Sequence, residues 1–566
     1  MSPASPWTPA VPPQGSTPAG KTSQLDHILI FGQGRFQRLV LLCTMLAVFT
    51  SRVHALANSD LARPVDHWCR APAAYAHLPL ETWKNASIPA EDGTDDRRSH
   101  CFRHDPPFPV PEDLGADNRT VVPCDAGWDY EPSAGERSIV GAWDLVCGRR
   151  RILSLLSAVY MAGGVFGGAG AGVLADRIGR RPVLCIMIFL LILAGFGTAF
   201  ARSILVFAGL RFVLSTASSS AIVTSTLLLF EVTDIDHRAL FCALSISAAG
   251  IASAIYRELV MAFIRDWQMA QIAYMVPASA LVLGGVPDGG VTLLAPGDRA
   301  DVHISDLLTN QSLRNRSTVI FGCWCITFAM FFSLNTSEVM RKSWVPRSSL
   351  LALRIIQLPF NVYVLRRIGR RLSLAYSMVA LSLIIACLAV VDVYRGSYAL
   401  HWGVTVLWLL VFEFTSTTLF AFSAELYPTV VRGAAVGFCY VSSRIGAIMG
   451  PFLNDVPSAE LRGVAFSAVA PLLMFLAFLA FSLPETTKHP PANTMGGMMA
   501  DKWKLHSPLR LARSHKGVHG PTKRVMAKSI ASNDSGRRRR GSMGLAAEDA
   551  SAHPYSPDQA ACGLAR

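Results

Sequence analysis

The chain has 566 residues, of which 51% are hydrophobic and 16% are charged, and its formal net charge at pH 7 is +13. Soluble domains carry about a quarter charged residues, so this composition argues against a soluble fold and indicates a membrane protein. The positive charge lies largely in short segments between apolar runs, which is a topology signal and no indication of a nucleic-acid partner.

Twelve apolar segments long enough to cross a bilayer follow one another along the chain. A helix needs about twenty mostly apolar residues to cross the hydrocarbon core. The sequence therefore predicts an all-α membrane protein with spans at 38–58, 151–174, 183–200, 204–229, 239–262, 267–285, 316–336, 347–365, 373–393, 398–422, 433–453 and 464–483.

The spans divide the chain into two bundles and several flanking segments. We predict an N-terminal six-helix bundle over 38–285 and a C-terminal one over 316–485, joined by a cytoplasmic linker at 286–315. Basic residues follow the second and eighth spans, as in Arg366-Arg367-Ile368-Gly369-Arg370-Arg371, which favours cytoplasmic termini. Residues 1–37 are predicted to form a cytoplasmic N-terminal tail, in which the Pro- and Ser-rich stretch 1–25 lacks the apolar core of a signal peptide. The tail at 486–566 is charged and of low complexity, so we expect it to be disordered, and it is a candidate site for protein partners.

The segment 59–150 between the first two spans is predicted to be a large extracellular loop. It holds four cysteines, which on the oxidising side of the membrane indicate two disulfides, and three pairings are possible. These are Cys69, Cys101, Cys124 and Cys147. Asn85 and Asn118 begin two glycosylation sequons in the same loop, although single sequons also occur by chance.

A charged motif follows the second span, in Gly172-Val-Leu-Ala-Asp176-Arg177-Ile-Gly179-Arg180-Arg181. Gly172 permits close helix packing, Gly179 permits a tight turn, and Asp176 suits the positive end of a neighbouring helix. Arg180 is expected to pair with an acid such as Glu231, forming a latch that opens and closes. The alternative is that Arg177 and Arg180 serve only as topology anchors.

The motif recurs six spans later, which indicates an internal repeat of six plus six helices. Arg366 stands there at the acidic position, which removes one carboxylate from the second latch. Arg370, Glu425 and Arg432 complete the set of predicted gating residues.

The repeated motif resembles the cytoplasmic signature of the major facilitator superfamily, and further motifs resemble solute carrier family 22. These are Cys124-Asp-Ala-Gly127-Trp128, Trp143-Asp144-Leu145-Val146-Cys147, Ile264-Arg265-Asp266-Trp267, Glu425-Leu426-Tyr427-Pro428-Thr429 and Pro484-Glu485-Thr486. Where this family usually has an acidic Pro-Glu-Ser-Pro-Arg-Trp run, the chain has Pro287-Asp288-Gly289-Gly290-Val291-Thr292. This departure suggests an atypical branch resembling members 17, 23 and 31.

Ionisable residues inside spans are costly, so each is a candidate for function. Arg444 is the first candidate, because the resemblance places Arg here in anion-preferring relatives and Asp in cation-preferring ones; a buried carboxylate partner is the alternative. Arg257, Glu258, Arg354 and Glu413 are further candidates that could instead form ion pairs. Phe331 and Phe332 match an aromatic pair that would stack on a flat substrate, or pack structurally.

The resemblance implies a plasma-membrane transporter of small organic ions, most simply organic anions, which works by alternating access. A transport-incompetent receptor or scaffold on the same fold is the alternative, and an ion-conducting derivative is a third possibility. The sequence has no phosphate-binding Gly-rich loop, zinc-binding His-Glu pattern or nucleophile motif, so we expect no enzyme activity, no cofactor and no metal. Membrane lipid and a small organic ion are the expected partners.

Overall fold

Twelve long helices form the core of the computed structural model. The structure describes residues 34–63, 65–89, 99–105, 107, 120–131, 137–233, 235–283, 309–336, 347–394, 396–428, 431–453 and 458–486. The first six helices are α1 (Arg35–Leu61), α2 (Arg151–Ile178), α3 (Arg180–Ala199), α4 (Ile204–Val232), α5 (Ile235–Ala243, a π-helical turn at Leu244–Ala248, then Ala249–Phe263) and α6 (Trp267–Leu283). The second six are α7 (Gln311–Thr336), α8 (Arg347–Arg367), α9 (Arg370–Val393), α10 (Tyr398–Leu426), α11 (Arg432–Phe452) and α12 (Ala459–Ala480).

Each predicted span coincides with one of these helices. By length and hydropathy, 9 helices of the described part qualify as membrane spans. α6 has only 17 residues, and α8 and α11 carry the polar interior side chains Arg354 and Arg444. Large apolar side chains such as Phe189, Phe263 and Phe475 point outwards, as expected for a bundle whose solvent is lipid.

Equivalent helix pairs pack together in the two halves. α1 contacts α5 as α7 contacts α11, and α3 contacts α6 as α9 contacts α12. The turns also correspond: Gly179 between α2 and α3 has φ +94°, and Gly369 between α8 and α9 has φ +95°. A left-handed φ is strained for a side chain with a Cβ, so these positions favour glycine. The internal repeat seen in the sequence is therefore present in the fold.

The predicted extracellular loop folds into a small domain with two disulfides. Strand β1 (His67–Cys69) pairs antiparallel with β4 (Trp128–Tyr130), and β2 (Phe102–Asp105) pairs with β3 (Thr120–Pro123). Short helices lie at Ala73–Tyr75, Leu80–Ser87, Ile139–Ala142 and Cys147–Arg150. The prediction of two disulfides is confirmed, and the pairing is Cys69–Cys124 and Cys101–Cys147.

Side-chain packing and ion pairs hold this domain together. Trp83 is buried and donates its indole N–H to the Cys69 carbonyl over 2.9 Å. The guanidinium of Arg103 donates to both carboxylate oxygens of Asp125 at 3.0 Å, and this hydrogen bonding lowers the pKa of Asp125. Asn85 is exposed on the helix Leu80–Ser87, whereas Asn118 lies outside the described residues. Glycosylation of both stays a prediction.

Candidate substrate cavity and gates

The first predicted latch is formed at the end of the fold that carries Gly179 and Gly369, which is the predicted cytoplasmic end. The Nη2 and Nε atoms of Arg180 donate to Glu231 Oε1 over 2.8 and 3.1 Å, and Nη1 donates to the Ala175 carbonyl over 3.1 Å. The predicted ion pair with Glu231 is therefore present. Arg177 is exposed, and the side chain of Asp176 lies outside the described residues.

The second latch repeats this geometry. Arg370 donates to Glu425 over 3.1 Å and to the Leu365 carbonyl over 3.4 Å, the same backbone offset that Arg180 uses. Glu485 accepts the backbone N–H groups of Arg370 and Arg371 over 3.0 and 3.2 Å. A carboxylate at a helix N-terminus is stabilised by the helix dipole.

Glu485 thus supplies a carboxylate to the second latch, where the exposed Arg366 has replaced the acid of the motif. Thr486 extends the network, because its hydroxyl donates to the second oxygen of Glu425 over 2.7 Å. The motif Pro484-Glu485-Thr486 is one of those that resemble solute carrier family 22. In the structure its Glu485 binds the start of α9, and its Thr486 binds Glu425 on α10.

Arg432 lies between the two latches. It is 4% exposed, and its Nε and Nη2 atoms donate to the Tyr427 carbonyl over 3.3 Å. Its charge also interacts with Glu231 of the first half and Glu425 of the second. Of the predicted gating residues, five therefore meet in one network at one end of the molecule: Arg180, Glu231, Arg370, Glu425 and Arg432.

Glycines bring α2 and α11 into direct backbone contact next to this network. A Cβ at Gly172 would lie 2.8 Å from the carbonyl carbon of Gly433 and 3.1 Å from the Ala434 Cα atom. A Cβ at Gly437 would lie 2.6 Å from the carbonyl oxygen of Gly168. No side chain fits between the helices here, so the two bundles are closed at the predicted cytoplasmic end.

A cavity lies between the bundles and is lined by residues of α1, α4, α5, α7, α10 and α11. It is lined by Val48, Ser51, Arg52, Ala55, Leu56, Ile222, Ile246, Phe328, Phe331, Phe332, Phe420, Tyr440, Ser443 and Arg444. Its volume is about 40 Å³, enough for a few water molecules, whereas pockets for drug-sized ligands span roughly 300–1,000 Å³. A larger organic ligand needs the bundles to separate.

Arg444 lines the cavity and is 6% exposed to solvent. Its Nη2 donates to the Tyr440 hydroxyl, and its guanidinium carbon lies 4.6 Å from the Tyr440 ring centre. Its Nη1 contacts the sulfur of Met161 at 3.3 Å, and Nε has no hydrogen-bond partner among the described residues. No carboxylate in the described part forms an ion pair with it.

A second cation in the cavity is Arg52, which the sequence analysis missed. Its Nη1 lies 3.9 Å from Oε2 of the buried Glu413. Arg354 is partly buried, and its charge interacts with Glu413 and Arg52. Glu413 therefore forms an ion pair with Arg52 and interacts electrostatically with Arg354. Arg52 could have been found from the sequence, because it lies inside the predicted span 38–58.

Phe331 and Phe332 are both buried, and both line the cavity. Phe331 stacks on Phe412, with ring centres 4.3 Å apart and planes inclined by 14°, and meets Phe332 edge to face at 5.1 Å. The pair thus packs structurally and also forms part of an aromatic wall.

Arg257 lies away from the residues that line the cavity. Its Nε and Nη2 donate to the two carboxylate oxygens of Asp60 over 2.6 and 2.7 Å, and the Tyr274 hydroxyl donates to Asp60 over 3.1 Å. This is the interhelical ion pair that was the alternative to a substrate role. Glu258, its neighbour, is partly buried.

The described residues also include one group of His and Cys side chains close enough to share a metal ion, His67, Cys101 and Cys147. Both cysteines are joined in a disulfide. Their sulfurs are therefore not available as the thiolates that bind zinc.

Comparison with known families agrees with this architecture. The family model described as Major Facilitator Superfamily matches residues 148–451. The chain belongs to the major facilitator superfamily. It is a multi-pass membrane protein and not an enzyme.

Similar proteins include members of solute carrier family 22. Member 12 from Mus musculus is 28% identical over 541 residues, which covers 82% of this chain and 93% of the relative. Member 7 from Rattus norvegicus is 26% identical over 526 residues, covering 82% and 95%. The resemblance to family 22 is thereby supported, whereas the branch of members 17, 23 and 31 stays a prediction.

Solved structures show the same fold. The proton:xylose symporter XylE superposes with a TM-score of 0.52 at 13% identity, covering 83% of this chain and 99% of that chain. The human organic anion transporter MFSD10 (TETRAN) gives 0.52 at 15% identity, covering 79% and 100%. At these identities the likeness concerns the fold of the superfamily.

Proposed function

We propose that this protein is a member of solute carrier family 22 that transports small organic anions across the plasma membrane by alternating access. Arg444 binds the anionic group of the substrate. The observation that carries this proposal is the buried Arg444 guanidinium at the cavity, which has no carboxylate partner among the described residues and one N–H without an acceptor.

The charge of the cavity supports an anionic substrate. Arg52 and Arg444 line it, and the acid beside it, Glu413, is shared by Arg52 and Arg354. A guanidinium presents a planar fork that holds a carboxylate or sulfate through two hydrogen bonds. The Phe331 and Phe332 wall would hold the apolar part of the same molecule.

The gates support alternating access. The bundles touch through backbone at Gly172 and Gly433 beside the two Arg–Glu latches, at the end opposite the disulfide-bonded domain. Opening to the predicted cytoplasmic side requires α2 and α11 to separate, which breaks the backbone contact at Gly172 and Gly433. Two repeats that rock around a central site are the usual means of transport in this type of fold.

The second candidate, a receptor or scaffold without transport activity, was favoured by the loss of the acid at Arg366. Glu485 supplies a carboxylate to the same latch, so this argument is weakened. The altered run Pro287–Thr292 lies outside the described residues and gives no further support.

Uptake of a labelled panel of organic anions, cations and zwitterions into proteoliposomes tests the proposal. Wild-type protein is expected to accumulate anions, and Arg444→Ala and Arg444→Asp to lose this uptake while the protein remains folded. Anion uptake that survives both substitutions would refute the role of Arg444. A folded wild-type protein that takes up no member of the panel would favour the receptor.

A further inference from the structure

A further buried cation, Arg211, lies inside the N-terminal bundle, on α4. Arg211 is 1% exposed, and its guanidinium carbon lies 4.6 Å from the ring centre of Tyr160 on α2. Nη2 donates to the His54 carbonyl over 3.0 Å. The Nε and Nη1 atoms have no hydrogen-bond partner among the described residues. A buried guanidinium with unused donors is costly unless an acceptor is present.

Other unused polar groups accompany it. His54 on α1 is fully buried, both ring nitrogens have no partner within the described ranges, and its ring interacts electrostatically with Arg211. Ser215 lies one helical turn beyond Arg211 on the same face of α4, and its buried hydroxyl is likewise unpartnered there. Three neighbouring helices thus enclose a group that consists mainly of hydrogen-bond donors.

Protein charges nearby do not neutralise Arg211. Asp60 is the acid whose charge interacts with it. Both oxygens of Asp60 are already taken by Arg257, and one also accepts from Tyr274. Glu258 interacts with Arg257 as well, and no acid in the described part of the chain forms an ion pair with Arg211.

From these contacts we propose that Arg211, His54 and Ser215 form a binding site for a monovalent inorganic anion, a halide such as chloride. A halide accepts hydrogen bonds from every direction and supplies the missing charge, whereas water accepts about two and adds no charge. An organic anion is excluded because the three side chains are almost completely buried between packed helices. The site is separate from the cavity of Arg444, because none of its three side chains lines that cavity.

Tyr160 connects the two sites. Its ring faces Arg211, and its side chain interacts electrostatically with both Arg211 and Arg444. A bound halide reduces the positive potential that reaches Arg444, so halide and organic anion are expected to weaken each other's binding. Such coupling is reciprocal by thermodynamic linkage. The halide site itself does not depend on the proposed transport function.

Thermal unfolding of the purified full-length protein tests the site. The midpoint is measured in sodium chloride, sodium bromide and sodium gluconate at equal ionic strength, for wild type, Arg211→Met, Ser215→Ala and Arg444→Gln. A ligand that binds the folded state raises the midpoint with its concentration. We expect halides to raise it in wild type and in Arg444→Gln, Ser215→Ala to need several-fold more halide, and Arg211→Met to show no halide effect.

Two results would overturn the site: equal midpoints in halide and gluconate for wild type, or a halide effect that is lost in Arg444→Gln and kept in Arg211→Met. The Arg444→Gln background also removes any effect of gluconate in the substrate cavity. If Arg211→Met does not fold, bromide crystals decide the question. An anomalous peak within hydrogen-bond distance of Arg211 supports the site, and bromide located elsewhere contradicts it.

Discussion

We expect the substitution Gly172→Ala, which adds one methyl group at the contact between α2 and α11, to favour opening of the gate at the predicted cytoplasmic end. In Gly172→Ala the new Cβ would lie 2.8 Å from the Gly433 carbonyl carbon and 3.1 Å from the Ala434 Cα atom, both backbone atoms that cannot rotate away. Restoring van der Waals distance needs a separation of the helices by about 0.5–1 Å, and overpacking of this kind costs about 1–3 kcal/mol. Since the contact exists only when this end is closed, the cost applies to the closed state.

The population of the closed state should therefore fall relative to the open state by about 5- to 150-fold. The assay is the labelling rate of a cysteine introduced at Ser443, a buried residue of the cavity lining, by an impermeant maleimide applied to inside-out vesicles. Protein without the added cysteine gives the background from native thiols. We expect Gly172→Ala to raise the rate.

Gly170→Ala is a matched control on the same helix, because nothing lies within 4 Å of a Cβ at that position. Its labelling rate should equal that of the reporter alone. Equal rates in Gly172→Ala and Gly170→Ala would refute the closed contact as the gate.

Three further predictions concern stability and are checked by equilibrium unfolding in mixed micelles. Arg257→Met leaves Asp60 buried and unpaired, so it should cost about 3–5 kcal/mol, and adding Asp60→Asn should recover part of this; an additive double variant would contradict the ion pair. Glu485→Gln removes an anion from the start of α9 and should cost about 0.3–2 kcal/mol, with no change expected for Glu131→Gln, because Glu131 is exposed and lies outside the helices. Cys69→Ser with Cys124→Ser should cost about 2–5 kcal/mol and expose the outer domain to trypsin before the helices, and unchanged cleavage would argue against that disulfide.

The sequence predicted the helices well, because an apolar run of sufficient length has few alternatives in lipid. It also predicted the Arg180–Glu231 pair and the turn at Gly179, because both belong to a short recurrent motif. The pairing of the four outer cysteines was open, since it depends on how β1 and β2 are placed relative to β4 and the start of α2.

The sequence did not predict several interior contacts, because these contacts join helices that are far apart in the chain. Arg52 and Arg211 lie inside predicted spans and could have been noted as buried cations, but their surroundings depend on helices far apart in the chain. Asp60 lies just beyond the predicted end of the first span at residue 58, so the partner of Arg257 was not considered. Glu485 was recognised by its motif, although its position at the start of α9 required the fold.

The most direct measurement is the dissociation constant of the best-transported anion for wild type, Arg444→Gln and Arg202→Gln. Arg202 is an exposed arginine between α3 and α4, and its substitution carries the same change in net charge. Loss of a charge-assisted hydrogen bond costs about 1.5–3 kcal/mol, so Arg444→Gln is expected to bind about 10- to 150-fold more weakly, with Arg202→Gln unchanged. Equal affinity in wild type and Arg444→Gln would contradict the placement of the substrate at this arginine.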